Sequence, residues 1–217
     1  MQLTIATFNI HHGEGRDGRN DLSRTAAVIR GLQADLVALQ EVDRGFARSG
    51  YIDQVEELQR LTDMAIHFWP TMAPESGGEY GIALAARESI DTSFTELPRA
   101  RLREPRGVVM AEWEGIRVLA THLAKADPDR RLQTERLAQL ATPSAVIAGD
   151  LNQTRRHLQP LVRAGFETGP PRSTVPPWWL GRQIDYVLVG PDLLLESVRC
   201  IPSDVSDHRP LVATIHT

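Results

Sequence analysis

The sequence predicts a layered α/β fold, with helices packed around two sheets or one strongly bent sheet. Three observations lead there. Apolar, strand-like runs outnumber amphipathic helical stretches. Hairpin-spaced strand pairs mix with strands separated by a helix. Four apolar runs each stop, on the carboxyl side, at a polar residue able to bind an ion or move a proton. In layered α/β folds, ligands collect outside the carboxyl ends of the strands.

The elements follow in order. "LTIATF" (3–8) alternates and is rich in β-formers. "DLSRTAAVIRGLQ" (21–33) places Leu22, Ala26, Ile29 and Leu32 on one helical face behind Asp21 as N-cap. "DLVALQ" (35–40) is a short continuous apolar run, the mark of a strand buried on both faces. "DQVEELQRLTDM" (53–64) predicts an amphipathic helix. "GIALAA" (81–86), "GVVMAEW" (107–113) and "IRVLATH" (116–122) predict strands, the last two joined by a tight turn at Glu114–Gly115. A helix is expected over 128–141, a buried strand over 145–150, and a helix over 155–165 ended by Gly165. Strands over 183–189, 193–201 and 210–216 close the chain. The longest loop-like stretch, 167–183, is long enough to suggest a functional loop.

The bulk properties narrow the class. The 217 residues, 41% hydrophobic and 24% charged, suit one globular domain over 1–217. There is no 18-residue apolar run to span a membrane, and "MQLTIATFNI" lacks the basic-then-apolar start of a secretory signal, so an intracellular, cytoplasmic monomer is expected. The lone Cys200 excludes an intramolecular disulfide and a cysteine-rich metal site, and its apolar neighbours predict a buried side chain. A net charge of −4 argues against a protein whose main task is gripping duplex nucleic acid.

The polar residues at strand boundaries carry the chemistry. "TIATF" runs into Asn9, "LVALQ" into Glu41, "VLAT" into His122, and "AVIAG" into Asp150 and Asn152. Asp185 opens one strand, and Asp207–His208 stand just before another. The start of a strand lies beside the end of its antiparallel neighbour, so all six places can share one edge. Taken singly, each has an ordinary reading as a turn, cap or exposed strand end. Together they suggest a site.

"TFNIHHG", "LQEVD", "YGIALAAR", "THL", "GDLN", "IDYVLV" and "SDHRPL", in that order, resemble the endonuclease/exonuclease/phosphatase family, from Thr7 to Pro210. The resemblance implies the deoxyribonuclease-I-like fold, a four-layer α/β/β/α sandwich of two mixed sheets. It implies metal binding by Glu41 and Asn9, assisted by Asp207. It assigns the attacking water and the phosphate to Asp150 and Asn152, places His122 and His208 beside the phosphate, and has Asp185 orient His208. Tyr80 and Arg106 match phosphate-side positions. Many members read Tyr-Gly-Asn where this chain has Tyr80-Gly81-Ile82, so one polar phosphate contact is missing. His11 and His12 follow Asn9 as pocket-lining candidates.

A cluster of carboxylates would repel a phosphodiester, so it implies a divalent cation. Oxygen ligands suit Mg²⁺ or Mn²⁺. Either His208 or Asp150 can serve as the base, and His122 is the candidate acid. The expected activity is hydrolysis of a small or lipid-type phosphoester, a phosphodiester or a phosphomonoester. The alternatives are an abasic-site or nick-type nuclease and a non-catalytic binding protein. Nucleic acid is a possible but not a favoured partner. The basic stretch 97–106 and Arg155, Arg156 and Arg163 could steer an anionic substrate. Trp178 and Trp179, in the long loop, could line the pocket or pack as a lid.

Overall fold

The computed structural model describes residues 1–75, 77–100, 104–176 and 181–217. The strands, in chain order, are β1 (Gln2–Asn9), β2 (Leu36–Arg44), β3 (Ala65–Met72), β4 (Glu79–Ala86), β5 (Thr92–Glu96), β6 (Gly107–Trp113), β7 (Ile116–His122), β8 (Ala145–Asp150), β9 (Asp185–Val189), β10 (Leu194–Cys200) and β11 (Leu211–His216). They form a six-stranded sheet, ordered β10-β11-β1-β2-β4-β3, and a five-stranded sheet, ordered β5-β6-β7-β8-β9. Both are mixed: β1–β2 and β7–β8 run parallel, and the other neighbours antiparallel.

The helices are α1 (Leu22–Leu32), α2 (Gln54–Thr62), α3 (Asp129–Leu140) and α4 (Gln159–Arg163). Three apolar interfaces hold four layers together. Ile5, Leu36, Ala38 and Leu84 of the first sheet meet Val109, Val118, Val146 and Val187 of the second. The other face of the first sheet (Phe8, Val37, Leu39, Ala83) packs against Ile29 of α1 and Leu58 of α2. The other face of the second sheet (Leu119, Ile147, Leu188) packs against Leu137 of α3 and Leu161 of α4. This is the α/β/β/α sandwich, and it explains why the central strands read as continuous apolar runs. Asp21 and Asp53 cap α1 and α2, each accepting two backbone N–H bonds. Each cap contributes about 1 kcal/mol.

Several expectations need correction. β2 does not end at Glu41; the chain bulges there and continues to Arg44. The stretch 155–165 is not one helix but a 3-10 turn (Arg155–His157) followed by α4, with Pro160 in the first turn of α4, where its missing N–H costs nothing. β3 and β5 were not legible as strands. Both are half-exposed sheet edges, and Pro70 inside β3 is tolerated only at an edge. Cys200 is half-buried rather than buried, and its Sγ lies 3.3 Å from the Ser173 carbonyl. The Glu114–Gly115 turn forms as expected, both residues having positive φ (50° and 78°).

Candidate active site

The register of the second sheet aligns three titratable residues. His122 ends β7 directly beside Asp150, which ends the parallel β8. Asp150 in turn faces Asp185, the first residue of the antiparallel β9. From the first sheet, Asn9 ends β1 opposite Gln40, and Glu41 follows on the bulge between Gln40 and Val42. The bulge holds Glu41 at φ 60°, a left-handed conformation uncommon for a residue with a side chain. Asn9 joins the two sheets. Its Nδ2 donates to Glu41 Oε1 (3.0 Å) and to Asp150 Oδ2 (3.2 Å), while its Oδ1 accepts the His11 N–H (3.0 Å), which fixes the amide's orientation.

The loop before β11 brings in His208. Its Nδ1 lies 2.9 Å from Asp185 Oδ2, and its Nε2 lies 3.8 Å from Asp150 Oδ2. Burial disfavours the imidazolium, but the carboxylates of Asp185 and Asp150 outweigh it and carry the pKa up to about 10. Burial and the neighbouring Asp185 charge push the Asp150 carboxyl up to about 7, against the pull of His208 and the hydrogen bonds from Asn152 and Asn9. Ser206 ties this loop down: its hydroxyl donates to the Asn9 carbonyl (2.7 Å) and accepts the His208 N–H (3.0 Å). Asp207 is half-exposed, 3.4 Å from that hydroxyl, and adds to the field on His208.

His122 is fully enclosed, with Nε2 3.4 Å from Asp150 Oδ2 but no aligned hydrogen bond at either ring nitrogen. Burial, with the positive charges of Arg106, Lys125 and His208, holds it well below the usual imidazole range, so it is neutral. Asn152 (φ 50°) donates its backbone N–H to Asp150 Oδ1 (2.9 Å) and its amide to the Leu123 carbonyl (2.9 Å). Tyr80 is buried, and burial and Glu41 keep its phenol protonated despite Arg106. Arg106 is itself 4% exposed and pairs with Glu104 at 2.9 Å.

His11 is half-buried and His12 buried, and both sit beside Glu41. Burial, then the charge of Arg48, lowers the His12 pKa. Trp178 and Trp179 lie outside the described residues, as do Arg101 and Arg103 of the basic stretch. Ile82 is 2% exposed and packs in the inter-sheet core.

Three supporting residues escaped sequence reasoning. Ser206 and Thr174 (whose hydroxyl accepts from Ile184 and Asp185 N–H) act through hydrogen bonds that no spacing announces. Arg48 binds the buried Asp43 through two hydrogen bonds, of 2.7 and 2.8 Å, and stacks over Tyr80 at 5.2 Å.

The donor chemistry fits a divalent cation. Buried Asp150 and Asp185 stand side by side, and Asp185 helps force the proton onto Asp150, a cost that a nearby cation relieves. Two groups of three donors, His11–His12–Glu41 and Asp150–Asp185–His208, are each close enough to share an ion.

Comparison with known proteins agrees with this architecture. A family model described as the Endonuclease/Exonuclease/phosphatase family matches residues 6–208. Among curated protein sequences, none matches the chain. An endonuclease/exonuclease/phosphatase structure from Beutenbergia cavernae DSM 12333 is similar with a TM-score of 0.82 and 20% identity, over 99% of this chain and 71% of that one. A family protein from Leptotrichia buccalis C-1013-b gives 0.74 and 17%, over 99% and 100%. An AP endonuclease from Archaeoglobus fulgidus gives 0.69 and 19%, over 97% and 98%.

Proposed function

The chain belongs to the endonuclease/exonuclease/phosphatase family, and from that premise we propose that it is a divalent-metal-dependent phosphoesterase hydrolysing a small or lipid-type phosphodiester. The observation that carries this reading is the Asp185–His208–Asp150 row, with His208 Nδ1 2.9 Å from Asp185 and its Nε2 3.8 Å from Asp150. Asp150, poised near neutrality, takes the proton of the attacking water. His208, charged by the carboxylates of Asp185 and Asp150, sits as a cation against the phosphoryl oxygens. Glu41, oriented by the Asn9 amide N–H, would hold a Mg²⁺ or Mn²⁺ ion, with Asp207 of the neighbouring loop as a further candidate ligand, and the ion would supply Lewis-acid neutralisation of the phosphoryl and leaving-group charge. His122, held neutral, donates an N–H to a phosphoryl oxygen rather than a proton to the leaving group. Tyr80 and Arg106 complete the phosphate side, and Asn152 shapes the turn that presents Asp150.

The net charge of −4 supports a small substrate. A second reading, a nucleic-acid strand, draws on one observation. A cleft of about 440 Å³ lined by Arg130, Arg156, His157 and Arg182 opens beside Asn152. A panel with Mn²⁺ decides between them: bis-p-nitrophenyl phosphate, a sphingomyelin-like lipid, an inositol phosphate, single-stranded DNA and abasic DNA. Turnover of a small or lipid ester, abolished in Glu41→Ala and His208→Ala with circular dichroism unchanged, supports the proposal. Near-normal hydrolysis by both variants sinks the site assignment. Preference for abasic DNA, with binding that weakens steeply in salt, overturns the substrate reading.

A further inference from the structure

Two histidines follow Asn9, and the phosphate chemistry above uses neither. The chain leaves β1 through a 3-10 turn in which His11 (φ 47°), His12 (φ 44°) and Gly13 (φ 81°) are all left-handed. That turn swings both imidazoles toward the Glu41 bulge. The rings sit 4.4 Å apart, tilted by 55°. One nitrogen of each ring and one Glu41 carboxylate oxygen all lie within 4.8 Å of one another. Adjacent donors on one ion at about 2.1 Å stand about 3–3.5 Å apart, so side-chain rotations that draw the three atoms together by about an ångström close the set.

The nitrogens are prepared for coordination. His11 Nδ1 lies 3.2 Å from the Glu14 carbonyl. Donation there leaves Nε2 with its lone pair, the backbone-carbonyl support typical of metal-bound histidines. His12 is 7% exposed, and its buried Nδ1 has no hydrogen-bond partner. A buried polar atom in that state calls for a partner, and a bound ion supplies one.

We infer that His11, His12 and Glu41 form a mixed nitrogen–oxygen centre selective for a first-row transition ion over Mg²⁺. Imidazole nitrogen binds transition ions well and suits Mg²⁺ poorly, whereas an all-oxygen site accepts Mg²⁺ readily. The inference rests on the proposed function only in sharing Glu41.

The test reads the metal rather than turnover. Metal-free protein is titrated with Mn²⁺ and with Mg²⁺ by calorimetry, and the Mn²⁺ form is examined for imidazole nitrogen by pulsed electron paramagnetic resonance. Wild-type protein should bind Mn²⁺ more tightly and show ¹⁴N coupling from two imidazoles. His11→Asn and His12→Asn, chosen because Asn tolerates positive φ, should each remove one coupling. Each should also weaken Mn²⁺ by roughly 10–100-fold or more, since even the hydrogen-bond partners of metal ligands cost that much. Mg²⁺ binding should change far less. If buried His12→Asn fails to fold, half-buried His11→Asn carries the test alone. Bound Mn²⁺ without ¹⁴N coupling, or equal Mn²⁺ and Mg²⁺ affinities that the variants leave unchanged, overturns the inference while leaving the phosphoesterase reading intact. Nitrogen coupling in a protein that turns over no phosphoester supports the centre and counts against that reading instead.

Discussion

His208 Nδ1 lies 2.9 Å from Asp185 Oδ2 in a buried pair that spans the loop before β11 and the start of β9. The carboxylate holds Nδ1 and leaves Nε2 3.8 Å from Asp150, and it stabilises the charged ring. Asp185→Asn keeps the shape but loses the charge. The expected result is a fall in kcat of about 10²–10³-fold, the usual worth of one preorganised group facing developing charge, with unchanged circular dichroism and little change in KM. A loss confined to KM would show that Asp185 serves binding alone.

The same pair gives the metal-free protein a pH-dependent stability. The folded His208 pKa, about 10, lies above the ordinary 6.5. Its contribution is therefore fully present below 6.5 and lost as pH rises toward 10. The Asp150 carboxyl, raised from 3.8 to about 7, acts in the same direction, because ionising it in the folded state costs more than in the unfolded chain. Thermal melts in EDTA should show His208→Gln destabilised more at about pH 6 than at about pH 9.5. A penalty that is constant or larger at the higher pH would contradict this account.

Gly149 sets the spacing of His122 and Asp150. A β-carbon at position 149 would collide with the Thr121 carbonyl oxygen across the parallel β7–β8 ladder. Gly149→Ala should therefore push β7 away from β8 at the residue before the site. Overpacking of this kind costs about 1–3 kcal/mol, measurable as a lower urea midpoint. Turnover should fall further than stability explains, since both partners of the displaced pair are site residues. A variant with wild-type midpoint and wild-type kcat would show that the ladder yields freely there.

The sequence made the candidate site's residues more legible than the scaffold around them. Asn9, Glu41, His122, Asp150 and Asp185 were visible because apolar strands buried on both faces end abruptly in polar residues, and the sheet registers bring those ends together. The edge strands β3 and β5 were hidden because a half-exposed strand needs no continuous apolar run and tolerates Pro70. The Glu41 bulge was hidden for another reason. Its left-handed backbone is imposed by pairing with β4, and nothing local in "LQEVD" requires it. Proton affinities were beyond reach as well: His122 and His208 both stand at strand boundaries, yet burial and neighbouring positive charges hold one neutral, while two carboxylates charge the other.

Ser206 supplies the last test, because its hydroxyl ties the loop before β11 to the end of β1. It donates to the Asn9 carbonyl at 2.7 Å and accepts the His208 N–H at 3.0 Å. One oxygen thus fixes the loop carrying Asp207 and His208 against the end of β1. Ser206→Ala leaves a buried carbonyl and a buried N–H without that partner, which costs about 1–3 kcal/mol. The expected phenotype is a modest loss of thermal stability with a larger loss of kcat, because His208 moves off the Asp185–Asp150 line. Ser206→Thr keeps the hydroxyl and should recover most of the rate if the added methyl is accommodated. Full activity in Ser206→Ala would mean that the Asp185 contact alone holds His208 in place.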